Sequence, residues 1–202
     1  WLMFIKDYIS KDYPAFNTSD SIEDANEVAK EFGYSHVFIK KRGFYLGALS
    51  QQFLEESPEG TLATLEHHYE KFALLDDGNI LDSIKLFHTF NSNILPIINK
   101  LEKYQGYLSC DDVFSEFAKY PLFSENGALL VVQINNKSYS MTDVCKIVES
   151  NNGKIYGCYI SAFEEDDVQI TIKISSENLS SIDETFERYG YNVVHKYYDD
   201  QK

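Results

Sequence analysis

An internal repeat in the first 120 residues constrains the fold of this chain more than any other feature of its sequence. Similar short segments recur in the same order, and the pairs are 21–25 with 79–83, 36–39 with 94–97, and 47–50 with 106–109. A repeated unit that buries its apolar face poorly when alone packs against its copy. We therefore expect two related halves around a pseudo-twofold axis, with ligand-sized clefts between them.

Each copy predicts the element order β-α-β-β-α. Apolar residues at spacings of three and four predict one long helix per copy, Ile22, Ala25, Ala29 and Phe32 in the first and Ile80, Ile84 and Phe87 in the second. Asp20 or Ser21 is expected to cap the first helix, and Gly33 to end it. Apolar runs predict hairpins at 36–40 with 44–49 and at 94–98 with 104–108, followed by short helices at 51–56 and 110–119.

A second domain is predicted after a linker at 121–126. Apolar runs predict strands at 128–134, 155–163, 168–174 and 191–197, and two helices lie between them, one opened by Ser140 and one carrying Leu179, Ile182, Phe186 and Tyr189. This β-α-β-β-α-β order is ferredoxin-like, so the predicted class is α+β. The expected domains are 3–120, with copies at about 3–58 and 66–120, and 127–198. Met3 is expected to be the natural start, with Trp1 and Leu2 outside the fold.

Charge and cysteine content exclude several classes of function. The formal net charge of -14 repels nucleic acid and anionic lipid, and no compact basic stripe offsets it. Three cysteines without C-x-x-C spacing suggest ordinary reduced thiols rather than a disulfide scaffold or a zinc site. No apolar run approaches the roughly 18 residues of a membrane span, and no signal pattern is present. We expect a cytoplasmic protein that binds neither nucleic acid nor membrane.

The repeat resembles a pair of cystathionine-β-synthase (CBS) motifs, also called a Bateman module. The second copy carries the family signature, G-h-h-S/T followed by x-x-D, as Gly106-Tyr-Leu-Ser109-Cys-Asp-Asp112, and Pro96 lies where the family often has proline. The first copy departs from the signature, with Phe53 in the acid position. The C-terminal segment resembles an ACT-like domain, and the order CBS, CBS, ACT is similar to that of the acetoin-utilisation regulatory proteins.

The resemblance implies a non-catalytic module that binds AMP, ADP, ATP or an adenosyl compound such as S-adenosylmethionine. A helix starting near Ser109 presents free N–H groups and a positive dipole end to a phosphate, and the Asp112 carboxylate is placed to accept from ribose hydroxyls. The other residues predicted to contact the ligand are Gly106, Ala73, Ile94, Pro96 and Leu108. Adenine is expected against the last four, and the strongly negative chain favours AMP or an adenosyl ligand over ATP.

Structural interpretations remain open for the same residues. Ser109 and Asp112 also form an S-x-x-D capping box, which stabilises a helix start without binding anything. The first copy is not expected to bind a nucleotide through a carboxylate, because it has Phe53. The charged hairpin residues, Lys40, Lys41 and Arg42 with Lys100 and Lys103, either approach phosphates or are simply solvated.

Enzymatic chemistry and metal binding are not predicted. No further metal-ligating residues accompany His67 and His68, so we expect an exposed pair of side chains. Cys110 has no identifiable neighbour that would lower the pKa of its thiol. No phosphate-binding loop or nucleophile motif occurs. The ACT-like part lacks the glycine loop that holds amino acids, which favours dimerisation over sensing. Two hypotheses follow: a nucleotide-sensing regulator that modulates a homodimer or a partner, and a ligand-free module that dimerises and docks a metabolic enzyme.

Overall fold

A computed structural model describes residues 4–175 and 177–198 of the chain. The chain divides into two compact units, Trp1–Glu116 and Phe117–Lys202. The predicted linker 121–126 instead contains a helical turn, Pro121–Ser124, within the second unit. The expectation about Trp1, Leu2 and Met3 lies outside the described residues. In the described ranges, no helix has the length and apolar character needed to cross a membrane.

The first unit contains two copies that share the element order α-β-β-α. The second copy begins with a short strand, whereas in the first copy the strand predicted before the long helix is only an isolated bridge between Phe16 and Ile39. A 3₁₀ segment, Ile5–Tyr8, precedes the first copy, which comprises α1 (Ile22–Phe32), β1 (His36–Lys41), β2 (Phe44–Ser50) and α2 (Gln51–Glu55). A 3₁₀ segment, Leu62–His68, leads to the second copy, which comprises β3 (Leu74–Leu75), α3 (Leu81–Thr89), β4 (Ile94–Ile98), β5 (Tyr104–Ser109) and α4 (Cys110–Phe117). Both predicted hairpins and all four predicted helices of the repeat are therefore confirmed.

Local chemistry explains the bounds of α1. The Ser21 hydroxyl accepts the Asp24 N–H at 3.0 Å, and Gly33 takes the left-handed conformation at φ 70°. The predicted apolar face of α3 is partly wrong, because Ile84 is half exposed. Ile80 is buried as predicted, but within α3 the buried position is Ser83 rather than Ile84.

Each copy forms a small sheet from an antiparallel hairpin and one parallel neighbouring segment. In the first copy β1 pairs antiparallel with β2, and Phe16 lies parallel beside Ile39. In the second copy β3 lies parallel to β4, which pairs antiparallel with β5. The register shifts after Ile39 in one hairpin and after Ile97 in the other, at equivalent positions. The two copies therefore repeat in backbone detail as well as in element order.

The copies meet around a pseudo-twofold axis, and reciprocal hydrogen bonds mark it. The Tyr45 N–H donates to the Glu102 carbonyl and the Tyr104 N–H donates to the Gly43 carbonyl, both at 2.9 Å, and each pair joins equivalent positions. The Tyr45 and Tyr104 rings stack with their centroids 6.5 Å apart. Away from these hairpin turns, the Ser35 N–H donates to Asn93 Oδ1 at 2.9 Å and the Asn93 N–H donates to Ser35 Oγ at 3.0 Å.

Each copy also receives a strand-like segment from outside its own repeat unit. Ser10 pairs antiparallel with Tyr107 of β5, and Glu70 pairs antiparallel with Ala48 of β2. Gly106 makes the first pairing possible, because a Cβ there would lie 2.5 Å from the Ser10 carbonyl oxygen. These exchanges tie the N-terminal segment to the second copy and the inter-copy segment to the first.

The second unit is a four-stranded antiparallel sheet with two long helices. Its elements are α5 (Pro121–Ser124), β6 (Ala128–Asn135), α6 (Met141–Ser150), β7 (Ile155–Glu164), β8 (Asp167–Ile174), α7 (Leu179–Arg188) and β9 (Asn192–Tyr198). The strand order β7-β8-β6-β9 is that of the predicted β-α-β-β-α-β arrangement. Alternate residues of β6 and β8 pack with α6 and α7 in one core, which includes Leu130, Val144, Ile170, Ile182 and Phe186.

Candidate functional site

The start of α4 presents the candidate carboxylate to solvent. The Ser109 hydroxyl accepts the Asp112 N–H at 3.1 Å, so Ser109 is the N-cap and Asp112 lies in the first turn. The Asp112 side chain is exposed, and Asp111 beside it is also exposed. This arrangement contains the predicted capping interaction and leaves the Asp112 carboxylate available to a ligand.

The first copy has the same helix start without the acid. The Ser50 hydroxyl accepts the Phe53 N–H at 3.1 Å, which matches the geometry at Ser109. The Phe53 ring is half-buried and packs against His68, with ring centroids 4.9 Å apart. An aromatic side chain thus occupies the position at which the second copy offers an exposed carboxylate.

The predicted ligand-contacting residues of the second copy divide between two faces of its sheet. Ile94 and Pro96 lie on one face, since they alternate along β4, and they pair with Ser109 and Tyr107. Ala73 precedes Leu74, the partner of Ile97, so it lies on the face of Pro96. The structure therefore brings Ala73, Ile94, Pro96 and Ser109 to one face, but Ile94 and Pro96 are buried there, and only Ala73 and Ser109 are partly exposed.

Gly106 and Leu108 lie on the opposite face of the same sheet. Gly106 pairs with Ile97 and Leu108 pairs with Leu95, both of which alternate with Ile94 and Pro96. Leu108 is fully buried, and Gly106 lies under the backbone of Ser10. Both residues thus pack the fold on the face away from Ile94, and the predicted single apolar wall of Ala73, Ile94, Pro96 and Leu108 does not form as one surface.

A partly buried polar network centred on Tyr107 lies on the candidate face and was not predicted from the sequence. The Tyr107 hydroxyl donates to Asp12 Oδ1 at 2.5 Å and lies 3.0 Å from the Tyr34 hydroxyl. Burial and these two partners raise the pKa of Tyr107 well above its usual range. The only sequence signal was the tyrosine inside the G-h-h-S segment, since its partner Asp12 is 95 residues away.

His36 occupies in the first copy the position that Ile94 holds in the second. Its ring is buried, its Nδ1 lies 2.8 Å from Ser35 Oγ, and it packs edge-on against Phe72 at 5.5 Å. Burial lowers the pKa of His36 to about 4, so the ring is neutral at physiological pH.

Three of the five basic hairpin residues have identified local partners. Lys100 lies 3.3 Å from Asp77, Lys40 lies over the Tyr104 ring at 5.8 Å, and Lys103 lies over the Phe44 ring at 5.7 Å. Each contact is individually weak, so an ammonium group can leave its carboxylate or aromatic partner for a phosphate at little cost in free energy.

The residues considered for catalysis or metal binding do not form a reactive cluster. His67 and His68 are both exposed, on the 3₁₀ segment before β3. Burial and the neighbouring Asp111 raise the pKa of the Cys110 thiol, which makes it a poorer nucleophile. Within residues 4–175 and 177–198, no three His, Cys, Asp or Glu side chains lie together as a metal site would require.

Comparison with known proteins identifies the fold of the first unit. No family model and no curated protein sequence matches the chain. A CBS domain pair/ACT domain protein from Thermotoga maritima matches with TM-score 0.51 at 16% identity, covering 58% of this chain and 98% of that one. The CBS pair domain of a putative Mg²⁺ transporter from Shewanella oneidensis matches with TM-score 0.50 at 14% identity, covering 58% and 71%.

A putative acetoin utilization protein from Vibrio cholerae is also similar, with TM-score 0.48 at 20% identity over 60% of this chain and 96% of that one. The matched share of 58% in the first two comparisons corresponds in size to the first unit. That unit contains the repeated hairpins, the capped helices and the reciprocal contacts about the axis. The first unit of this chain is therefore a CBS domain pair in its fold.

Proposed function

We propose that the CBS pair senses an adenine nucleotide or a related adenosyl ligand through one site, in the second copy, and that the chain is a regulator without catalytic activity. The observation that carries the proposal is the asymmetry between the copies. Two helix starts with the same serine cap differ at the acid position of the signature, which is an exposed carboxylate at Asp112 and a packed ring at Phe53. Selective loss of the acid from one copy fits a single-site sensor.

The geometry around Asp112 supports ribose and phosphate recognition. A carboxylate in the first turn of a helix can accept from two neighbouring hydroxyls, and the helix start attracts a phosphate. Ala73 is half-buried and shares a sheet face with Ser109, so it offers adenine an apolar contact beside the polar end, whereas Ile94 and Pro96 lie on that face but are buried. Leu108 and Gly106 support that sheet from its other face.

Electrostatics favours ligands with few charges. The net charge of -14 opposes a polyphosphate, and Asp111 and Asp112 place two carboxylates at the helix start itself. AMP or S-adenosylmethionine therefore meets a smaller electrostatic penalty than ATP, which requires Mg²⁺ or nearby lysines to offset its charge.

Sensing requires that the ligand bind two conformations unequally. We propose that the response is a change in a homodimer or in the docking of a metabolic enzyme in the cytoplasm. The second unit is assigned an ACT-like assembly role, supported by its β-α-β-β-α-β order and its exposed aromatic side chains.

Thermal unfolding with each ligand tests the site. At a concentration of 100 Kd, the true ligand among AMP, ADP, ATP and S-adenosylmethionine stabilises the wild type by about 2.7 kcal/mol. Asp112→Ala is expected to abolish this gain. Asp111→Ala, which removes the same charge one residue away, is expected to retain it. Equal loss in both variants would indicate a general charge effect and contradict the assigned site.

A second candidate function, ligand-free assembly, is favoured by the exposed aromatic residues of the second unit. Tyr159, Phe163 and Tyr197 are 45%, 73% and 58% exposed. Analytical ultracentrifugation of the wild type and of Phe163→Ser distinguishes the candidates. If no adenine ligand stabilises the wild type, and if the dimer dissociates in the variant, assembly alone is the function.

A further inference from the structure

Three sulfur atoms lie together at one edge of the second unit. Met141 and Cys145 are four residues apart on α6 and therefore lie on one face of that helix. Cys158 is on β7 and pairs with Ile172, whose side chain is in the core beneath the helices. The pairing turns Cys158 toward α6, so helix and strand bring together side chains from positions 141, 145 and 158.

The contacts within this sulfur cluster are direct. The Cys158 thiol donates to the Met141 thioether, with Sγ and Sδ 3.6 Å apart, and it also has a side-chain hydrogen bond with Cys145. All three residues are half-buried. Met141 and Cys145 line an open trough of about 750 Å³ along α6, which gives a small ion access to the cluster.

The chemistry of the cluster disfavours a nucleophilic role. Burial is the main cause that raises the pKa of Cys158 to about 11, and the neighbouring Cys145 is the second. A thiol that remains protonated at neutral pH attacks substrates and peroxides slowly. A soft cation, in contrast, binds the thiolate strongly enough to displace the proton.

The donor set and its spacing indicate which cation fits. Two thiols and one thioether, without a clustered imidazole or carboxylate among the described residues, are the soft ligands that select Cu(I) over harder ions. Sulfur donors about 2.3 Å from a central ion stand about 3.8–4.0 Å apart. The 3.6 Å between Cys158 and Met141 is already close to that separation.

We propose that Met141, Cys145 and Cys158 form a three-coordinate binding site for Cu(I), the soft monovalent copper ion. One Cu⁺ replaces the two thiol protons and gains two thiolate bonds and one thioether bond, so each binding event releases two protons. The negative net charge of the chain also attracts the cation.

Competition with a chromogenic Cu(I) chelator tests the site on the full chain under anaerobic, reducing conditions. The wild type is expected to withdraw one equivalent of copper. Cys145→Ser and Cys158→Ser are expected to lose it. Met141→Leu, which preserves the size of the side chain, is expected to retain the equivalent but to release it at a lower chelator concentration. Cys110→Ser, at the cysteine of the first unit, is the matched control and is expected to bind as the wild type does.

X-ray absorption of the copper-loaded chain provides a readout independent of folding in the variants. The site predicts sulfur scatterers only, three per copper. No uptake by the wild type, equal loss in Cys110→Ser, or nitrogen and oxygen scatterers in the first shell would each overturn the proposal.

Discussion

Acidification is expected to destabilise the first unit through His36, and the magnitude follows from its burial. The folded pKa is about 4, whereas an unfolded histidine titrates near 6.5. Because the folded pKa is the lower one, the stabilisation is present above about pH 6.5 and declines as the pH falls toward 4. Linkage then gives a loss of about 2 kcal/mol at about pH 5 and a limit of about 3.4 kcal/mol below about pH 4.

His36→Phe isolates this contribution. Phenylalanine retains the edge-on packing against Phe72 but does not titrate, and it loses the contact with Ser35 at every pH. The unfolding free energy of the first unit is measured by urea unfolding at about pH 7.5 and about pH 5. Pulse-labelled peptides of that unit are detected by mass spectrometry. The wild type is expected to lose about 2 kcal/mol more than the variant between these pH values.

The matched control is His67→Phe, because His67 is exposed. This variant is expected to keep the acid sensitivity of the wild type. Equal pH dependence of the unfolding free energy in the wild type and in His36→Phe would show that His36 becomes protonated in the folded protein without cost, contrary to this prediction.

Three further changes test the packing of the CBS pair. Gly106→Ala places a Cβ 2.5 Å from the Ser10 carbonyl and is expected to cost about 1–3 kcal/mol by urea unfolding; an unchanged midpoint would contradict the close crossing. Tyr107→Phe removes the hydrogen bond to Asp12 and is expected to cost about 1–2 kcal/mol near neutral pH. Because the pKa of Tyr107 is raised in the folded state, the wild type is expected to lose about 1.4 kcal/mol of stability per pH unit above about pH 10. The variant is expected to lack this alkaline loss. Ser50→Ala removes the cap of α2 and is expected to cost about 1 kcal/mol without altering ligand binding; altered binding would place a site in the first copy.

Local periodicity and capping chemistry made much of the fold predictable. The spacing of Ile22, Ala25 and Ala29, with Ser21 and Gly33 at the ends, determines α1 from one stretch of chain, and the structure agrees except at Phe32, which was predicted on the same face and is exposed. The same reasoning failed at Ile84, because which side of an apolar-rich helix is buried depends on what packs against it.

Long-range features were not predictable from the sequence. The pairings of Ser10 with Tyr107 and of Glu70 with Ala48 join segments that have no local strand pattern. The same holds for the sulfur cluster, since no spacing rule relates Cys145 to Cys158 across a helix and a strand.

The candidate site was only partly predictable for a related reason. The sequence gives the serine cap and the carboxylate at Asp112, because both belong to one helix start. Alternation along β4 and β5 assigns Ile94 and Leu108 to opposite faces, but that pairing register is a tertiary property.

Backbone amide NMR of the full chain titrated with AMP and S-adenosylmethionine tests the central claim most directly. We expect saturable shifts at Ser109, Cys110 and Asp112 with one of these ligands, and unchanged signals at the equivalent positions 50–53. Shifts confined to 50–53 or to the second unit, or no shift at millimolar concentrations of either ligand, would contradict it.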